Sequence, residues 1–216
     1  MSNPTTPASI GPGEFFPVVG VGPCEKPWPE GPQYDPELLL NGDRRNVLDH
    51  YRYWTVEAIV ADLDSKRHKL QIAIENWQHD LNIGSIVRTA NAFNVSGVHI
   101  VGKRDWNKRG AMVTDRYLTV HHHPTVEDFA LWCKENELPI IGIDNVPGSQ
   151  QLESAQLPEK CVLLFGQEGA GMSDEGIAVC EVLYEINQYG STRSMNASAA
   201  GAIAMYHWAL QHLLVR

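Results

Sequence analysis

Short apolar runs alternate with helix-period segments between residues 70 and 186 of this 216-residue chain. LQIAIEN (70–76) reads as a buried strand and GVHIVG (97–102) as a second. Between them, NIGSIVRTANAF (82–93) places Ile83, Ile86, Val87 and Ala90 on one face of a helix. YLTVH (117–121), PIIGID (139–144), KCVLLF (160–165) and EVLYEI (181–186) continue the strand set. VEDFALWCKEN (126–136) has helical spacing behind Thr125 as its cap, and a short helix is expected near 173–180. An Ala-rich helix, AIAMYHWALQHLLVR, closes the chain. Strands separated by helices predict an α/β fold, a mostly parallel sheet flanked by helices on both faces.

The first seventy residues carry a different pattern. Residues 1–36 hold nine of the thirteen prolines and five glycines, so a Pro/Gly-rich arm is expected there. Residues 37–68 turn helical. Asp43 is expected to cap a segment carrying Val47, Leu48, Tyr51 and Trp54, and Thr55 another carrying Val56, Ile59, Val60 and Leu63. The expected organisation is therefore an arm (1–36), a helical extension (37–68) and a main domain (70–216).

Composition adds limits. With 43% apolar and 20% charged residues, the chain has the make-up of a globular domain. No apolar run approaches the length of a membrane span, and the N-terminus lacks the basic-then-apolar layout of a signal peptide. Cys24, Cys133, Cys161 and Cys180 are scattered singly, so no metal site or redox dithiol is expected, and a reduced, cytoplasmic protein is. The net charge of −9 opposes nonspecific coating of nucleic acid. Locally, however, residues 103–116 set Lys103, Arg104, Lys108, Arg109 and Arg116 against Asp105 and Asp115, with Trp106 among them. Charge with an interleaved aromatic is a pattern used on RNA, while a solvated loop is the plain alternative. His121, His122 and His123 cannot all point one way on a strand, so they are expected at the surface or facing RNA.

Two glycine-containing loops carry the candidate chemistry. GQEGAG (166–171) follows the run CVLLF, and INQYGSTRSMNASAAG (186–201) leads into the last helix. Both stand where an open α/β sheet binds its ligand, beyond the carboxyl ends of strands. Gly166, Gly169 and Gly171 fall at first, fourth and sixth positions, which departs from the dinucleotide fingerprint. The first loop is better read as backbone approaching an adenine-type ligand, with Glu168 projecting. Ser194 and Asn196 alternate with Met195 in the second, where either polar residue also suits a helix N-cap. Arg88, six residues after Asn82, interrupts an otherwise apolar and small helix. A snorkelling arginine would explain it equally well.

NIGSIVRTANAF, LLFGQEGAGMS and INQYGSTRSMNASAA, in that order, resemble the three motifs of the SpoU-type branch of the SPOUT methyltransferases. The match covers roughly residues 70–214. The resemblance implies a deep C-terminal trefoil knot holding S-adenosylmethionine, which periodicity alone would exclude by default. It also implies a homodimer with the active site near the subunit interface, RNA ribose 2′-O-methylation and no metal. Carried over position by position, Arg88 matches the catalytic arginine, Asn82 the first-motif asparagine, Glu168 the second-motif glutamate, and Ser194 and Asn196 the third-motif pair. Gly166, Ile186 and Met195 fall where backbone contacts to the cofactor are expected, with Gly169, Gly171 and Ile143 beside them. Lys103, Arg104, Lys108 and Arg109 are the RNA-binding candidates. Arg193 before the serine resembles the tRNA-guanosine members, so tRNA is the expected substrate and guanosine the favoured nucleotide. An rRNA methyltransferase and a non-catalytic RNA-binding dimer of the same fold are the alternatives.

Overall fold

The computed structural model describes residues 20–78 and 82–214, in two compact units that divide after Ile59. More than half of the expected arm, residues 1–19, lies outside the described residues. In the first unit, isolated bridges join Val21 to Asp43 and Tyr34 to Trp54. Helix α1 (Pro36–Asn41) starts with proline at its first position, and the Asp35 carboxylate accepts from Glu37 N at 2.8 Å.

Asp43 is not the helix cap expected from sequence. It is fully buried, and its carboxylate accepts from Arg45 Nε (2.9 Å), Arg45 Nη2 (2.7 Å) and Tyr53 N (3.0 Å). Burial pushes its pKa up, but the Arg45 and Tyr53 hydrogen bonds and the guanidinium charge outweigh burial and hold it at about 2. The expected helix on Val47–Trp54 shrinks to a 3₁₀ turn at Asp49–Tyr51. Thr55 does cap, its hydroxyl accepting from Ala58 N at 3.1 Å ahead of α2 (Val56–Asp64).

The second unit alternates strand and helix as the hydrophobic pattern predicts. Its elements are β1 (His68–Asn76), α3 (Asn82–Ala92), β2 (Val95–Gly102), β3 (Val120–His123), α4 (Val126–Glu135), β4 (Ile140–Ile143), β5 (Gln150–Gln151), β6 (Cys161–Phe165), α5 (Asp174–Ala178), β7 (Val182–Glu185) and α6 (Ala197–Ala209). All seven strands pair parallel in the order β3-β2-β1-β6-β4-β7-β5. Leu70, Ile72, Ile74, Leu163 and Phe165 face one apolar layer with Ile83, Ile86 and Val87 of α3 and Met205 and Trp208 of α6. Ala73, Val162 and Leu164 face the other, with Phe129 and Cys133 of α4. Such double coverage is why these strands read as unbroken apolar runs.

Register positions the loops. Phe165 lies opposite Ile74 of β1 and Ile143 of β4, and Ile143 lies opposite Tyr184 of β7. Four chains therefore leave the sheet at nearly one level, and their loops meet. The third strand falls three residues later than expected, because Thr114–Tyr117 winds as a 3₁₀ turn that buries Tyr117.

The three consecutive histidines are not a surface feature. His121 and His123 share the α4 face of β3 and pack with His99 of β2 and Trp132 of α4. His99 Nε2–H donates to Gln71 Oε1 at 2.6 Å, which leaves its Nδ1 to accept from His123 Nε2–H at 2.9 Å. His122 turns to the opposite face and meets the Gly102 carbonyl at 2.8 Å. Burial, reinforced by the neighbouring His121 and His123, holds the His99 pKa down to about 2. Burial lowers His121 and His123 as well.

The cluster sets a pH dependence of stability. In the unfolded chain a histidine takes up a proton below about pH 6.5, while native His99 stays neutral. The stabilisation is complete above that pH and is lost as pH falls, by roughly 1.4 kcal/mol per unit for each histidine kept neutral. The urea midpoint should drop between pH 7.5 and pH 5, and His99→Gln should flatten the drop. An unchanged slope in that variant would place the titration elsewhere.

Candidate active site

A cavity of about 250 Å³ opens where the loops after β4, β6 and β7 meet the start of α6. Its wall includes Ile143, Gly166, Gly169, Gly171, Ile186 and Met195, all six of the positions expected to hold a cofactor, together with Glu168 and Ser194. The first loop closes on itself, because Gln167 and Gly171 exchange two backbone hydrogen bonds of 3.0 Å. A Cβ on Gly166 would stand 2.1 Å from Met172 N, so only glycine fits at the base of this turn. The loop is tied inward as well: the Gln167 side chain accepts from Trp77 N at 3.0 Å.

Beside the cavity the three motifs are joined by side chains. Asn82, at the first position of α3, donates through Nδ2 to Glu168 Oε2 at 2.8 Å. Asn196 donates to Asn82 Oδ1 at 2.7 Å and, more weakly, to Glu168 Oε2 at 3.4 Å. Ala197 N donates to the same carboxylate oxygen at 3.0 Å. Asn196 Oδ1 caps α6, accepting from Ser198 N at 3.0 Å and Ala199 N at 3.3 Å. Glu168 thus lies at the positive end of a 13-residue helix, where a carboxylate is favoured.

Arg88 is the catalytic candidate that the network does not include. It is exposed on α3, and no hydrogen bond or ion pair holds its guanidinium among the described residues. It does not line the cavity. Ser194 lines it and is exposed.

Of the basic residues, Lys103, Arg104, Lys108 and Arg109 are all exposed. The loop is built against α3: a Cβ on Gly84 would come within 2.7 Å of Ala111 N, so the helix and the 3₁₀ turn Lys108–Ala111 touch through backbone. Lys108 is partly spoken for, pairing with Asp115 at 3.1 Å and lying 5.4 Å from the Trp106 ring centre. Trp106 itself packs partly into the core rather than standing free.

Sequence reasoning missed Asp144 and Asn145. Asp144 accepts from Met172 N (2.7 Å) and Asn145 N (2.8 Å), which fastens the β4 end to the GQEGAG loop. The Asn145 side chain donates to the Arg193 carbonyl and so reaches the third motif. Their position at the carboxyl end of a parallel strand was the available signal. Among the described residues, no cluster of histidine, cysteine, aspartate or glutamate is placed to hold a metal.

Comparison with known proteins agrees with this geometry. The model of the SpoU rRNA Methylase family matches residues 69–206. A tRNA (guanosine(18)-2′-O)-methyltransferase of Borreliella burgdorferi is 25% identical over 147 residues, 67% of this chain and 67% of that protein. A tRNA/rRNA methyltransferase of Synechocystis, itself uncharacterised, is 30% identical over 163 residues, 72% of this chain but 42% of its own length. The SpoU methyltransferase AviRb from Streptomyces viridochromogenes shares the fold with a TM-score of 0.63 at 24% identity, covering 71% of this chain and 64% of that one. The matched family region takes in both glycine loops and the asparagine–glutamate network, and on that ground the chain belongs to the SpoU rRNA Methylase family.

Proposed function

We propose that this chain is an S-adenosylmethionine-dependent RNA ribose 2′-O-methyltransferase that acts on tRNA, with guanosine favoured. The carrying observation is the joining of Asn82, Glu168 and Asn196 beside a cavity walled by the two glycine loops. Relatives named as tRNA (guanosine(18)-2′-O)-methyltransferases support the substrate class. An AviRb structure in complex with the cofactor AdoMet supports the cofactor. Four free thiols suit a reducing compartment, in keeping with a cytoplasmic protein. A trefoil knot in the C-terminal chain belongs to this reading.

The cavity suits the cofactor chemically. Ile143, Phe165, Ile186 and Met195 offer apolar wall for a purine, and the turns at Gly166 and Gly171 offer close backbone approach. When bound, S-adenosylmethionine supplies a methyl group on a sulfonium, electrophilic towards the ribose 2′-oxygen. The chain's residues then have two tasks, alignment and charge. Asn82 and Glu168, bonded to each other beside the cavity, would orient the ribose. Asn196 fixes the start of α6, and with it Ser194. A guanidinium donates hydrogen bonds and does not accept them, so Arg88 would stabilise the developing alkoxide while the hydroxyl proton passes to an RNA phosphate or solvent.

Arg88 also requires a second subunit or the RNA to bring it to the reacting oxygen, since it stands outside the cavity. A homodimer is the arrangement we infer. α6 and its short extension expose Ile203, Tyr206, Leu210 and Leu214, spaced three, four and four residues apart, while Ala204, Met205 and Trp208 face the core. Such an apolar stripe is what an isologous contact buries.

Arg88→Ala should lower single-turnover methylation by on the order of a hundred- to a thousandfold while S-adenosylmethionine affinity stays near wild type by calorimetry. Arg88→Lys should fail substantially too, because an ammonium lacks the planar fork. Near-normal turnover in Arg88→Ala would return the residue to a snorkelling role. Mapping the RNA of a deletion strain identifies the substrate, and loss of an rRNA methyl group rather than a tRNA one would overturn the tRNA assignment.

Charge-neutral substitutions at Lys103, Arg104, Lys108 and Arg109 should flatten the salt dependence of RNA binding, each lost phosphate contact removing roughly 0.7 to 0.9 from the log–log slope. A wild-type slope in the combined variant would make the loop merely solvated.

Ile203→Glu with Tyr206→Glu should give a monomer in sedimentation equilibrium, still able to bind cofactor. A dimer that persists in this variant would move the interface to another face.

A further inference from the structure

We propose that Tyr189 is the stacking platform for the base of the nucleotide being methylated, a positioning role that rests on the RNA methyltransferase reading above. Tyr189 is 93% exposed. A ring in that state adds almost nothing to folding, so its aromatic area is left for a partner. Single exposed apolar residues are ordinary. This one differs in where its loop is anchored.

Both stems of the loop belong to the candidate cofactor cavity. Gln188, the preceding residue, lines it, and so does Ser194 on the returning stem. The loop between them is tied at three points. Asn187 N donates to Glu153 Oε1 at 3.2 Å, Gln188 Nε2 donates to the Arg193 carbonyl at 3.2 Å, and the Asn145 side chain donates to that same carbonyl. Tyr189 is therefore held out on a fixed base. A Cβ on the next residue, Gly190, would meet nothing within 4 Å, so the space beside the ring is open.

The reaction geometry places a base there. A ribose 2′-oxygen must come within about 3–3.5 Å of the carbon it attacks. The base hangs from that same sugar, so it lies at the mouth of the cavity, where the 187–193 loop stands. Sequence-tolerant RNA recognition uses aromatic faces for splayed bases. The exposed Arg193 lies four residues on and gives the loop positive charge suited to the adjoining phosphodiester. Tyrosine offers this area at low conformational cost, having two side-chain torsions.

The test uses the full chain, wild type, Tyr189→Ala and Tyr189→Phe, with total tRNA from the deletion strain as the probe. Base stacking on an aromatic side chain predicts RNA binding by Tyr189→Ala weakened by on the order of ten- to a hundredfold, seen as a raised KM with kcat at saturation little changed. Tyr189→Phe should stay near wild type, because the ring face is kept. Calorimetric affinity for S-adenosylmethionine and the sedimentation mass should be the same in all three. Equal RNA affinity and KM in wild type and Tyr189→Ala would overturn the platform. So would a change of oligomeric mass in Tyr189→Ala, which would make the ring a subunit contact. A wild type that binds RNA and cofactor yet transfers no methyl group would overturn the functional reading instead, while its RNA affinities still decide the role of Tyr189.

Discussion

The site depends on a single carboxylate oxygen at the beginning of a helix. Glu168 Oε2 accepts from Asn82 on α3 and from Ala197 N at the first turn of α6, with Asn196 nearby. Each partner comes from a different motif, separated by 86 and 29 residues from the glutamate. Charged acceptors make the stronger hydrogen bonds, and the helix end adds its own attraction. Asn196 meanwhile works in two directions, donating to Asn82 and capping α6 through its oxygen. Replacing it would free two backbone N–H groups and loosen the tie to α3 in one step. The sheet makes this possible, because β1, β4, β6 and β7 end at matched register and deliver their loops to one level.

Much of this was written plainly in the sequence, for identifiable reasons. Strands covered on both faces appear as runs such as CVLLF, and α3 shows its face through Ile83, Ile86, Val87 and Ala90. The two glycine loops could be assigned to strand ends by their flanks alone. What periodicity cannot carry is the order of the strands, and it was the order that brought residues 82, 168 and 196 together. The motif resemblance supplied that pairing in advance.

The failures are polar residues whose partners the hydrophobic pattern does not name. Asp43 in front of a helical stretch looks the same whether it caps a helix or closes an ion pair, and only the bidentate reach of Arg45, two residues on, separates them. Three histidines in a row look polar and exposed, yet two of them alternate inward. There His123 pairs with His99, His99 passes its other nitrogen to Gln71, and His121 stacks on His99, beside a layer that includes Val101, Phe129 and Cys133. The histidines are misplaced because their partners, His99 and Gln71, are distant in the chain. Asp144 belongs to the same class, since the N–H group of Met172 that it holds lies 28 residues away.

The molecule is built unevenly around its candidate site. The cavity side is fastened by Asp144, Asn145 and Gln167, each spending its hydrogen bonds on backbone of a neighbouring loop. The outer side is left bare: Arg88 without a partner among the described residues, residues 189–194 exposed, and a basic loop pressed on α3 through Gly84 and Ala111. A catalyst for a small molecule would enclose such groups to exclude water. One that acts on a sugar within a long polyanion has to leave the reacting side open and let the substrate cover it. An arginine suits that exposed post because its charge does not depend on burial or on a permanent partner. The division between a fastened cradle and an open, cationic rim is therefore the structural counterpart of a small cofactor facing a large substrate.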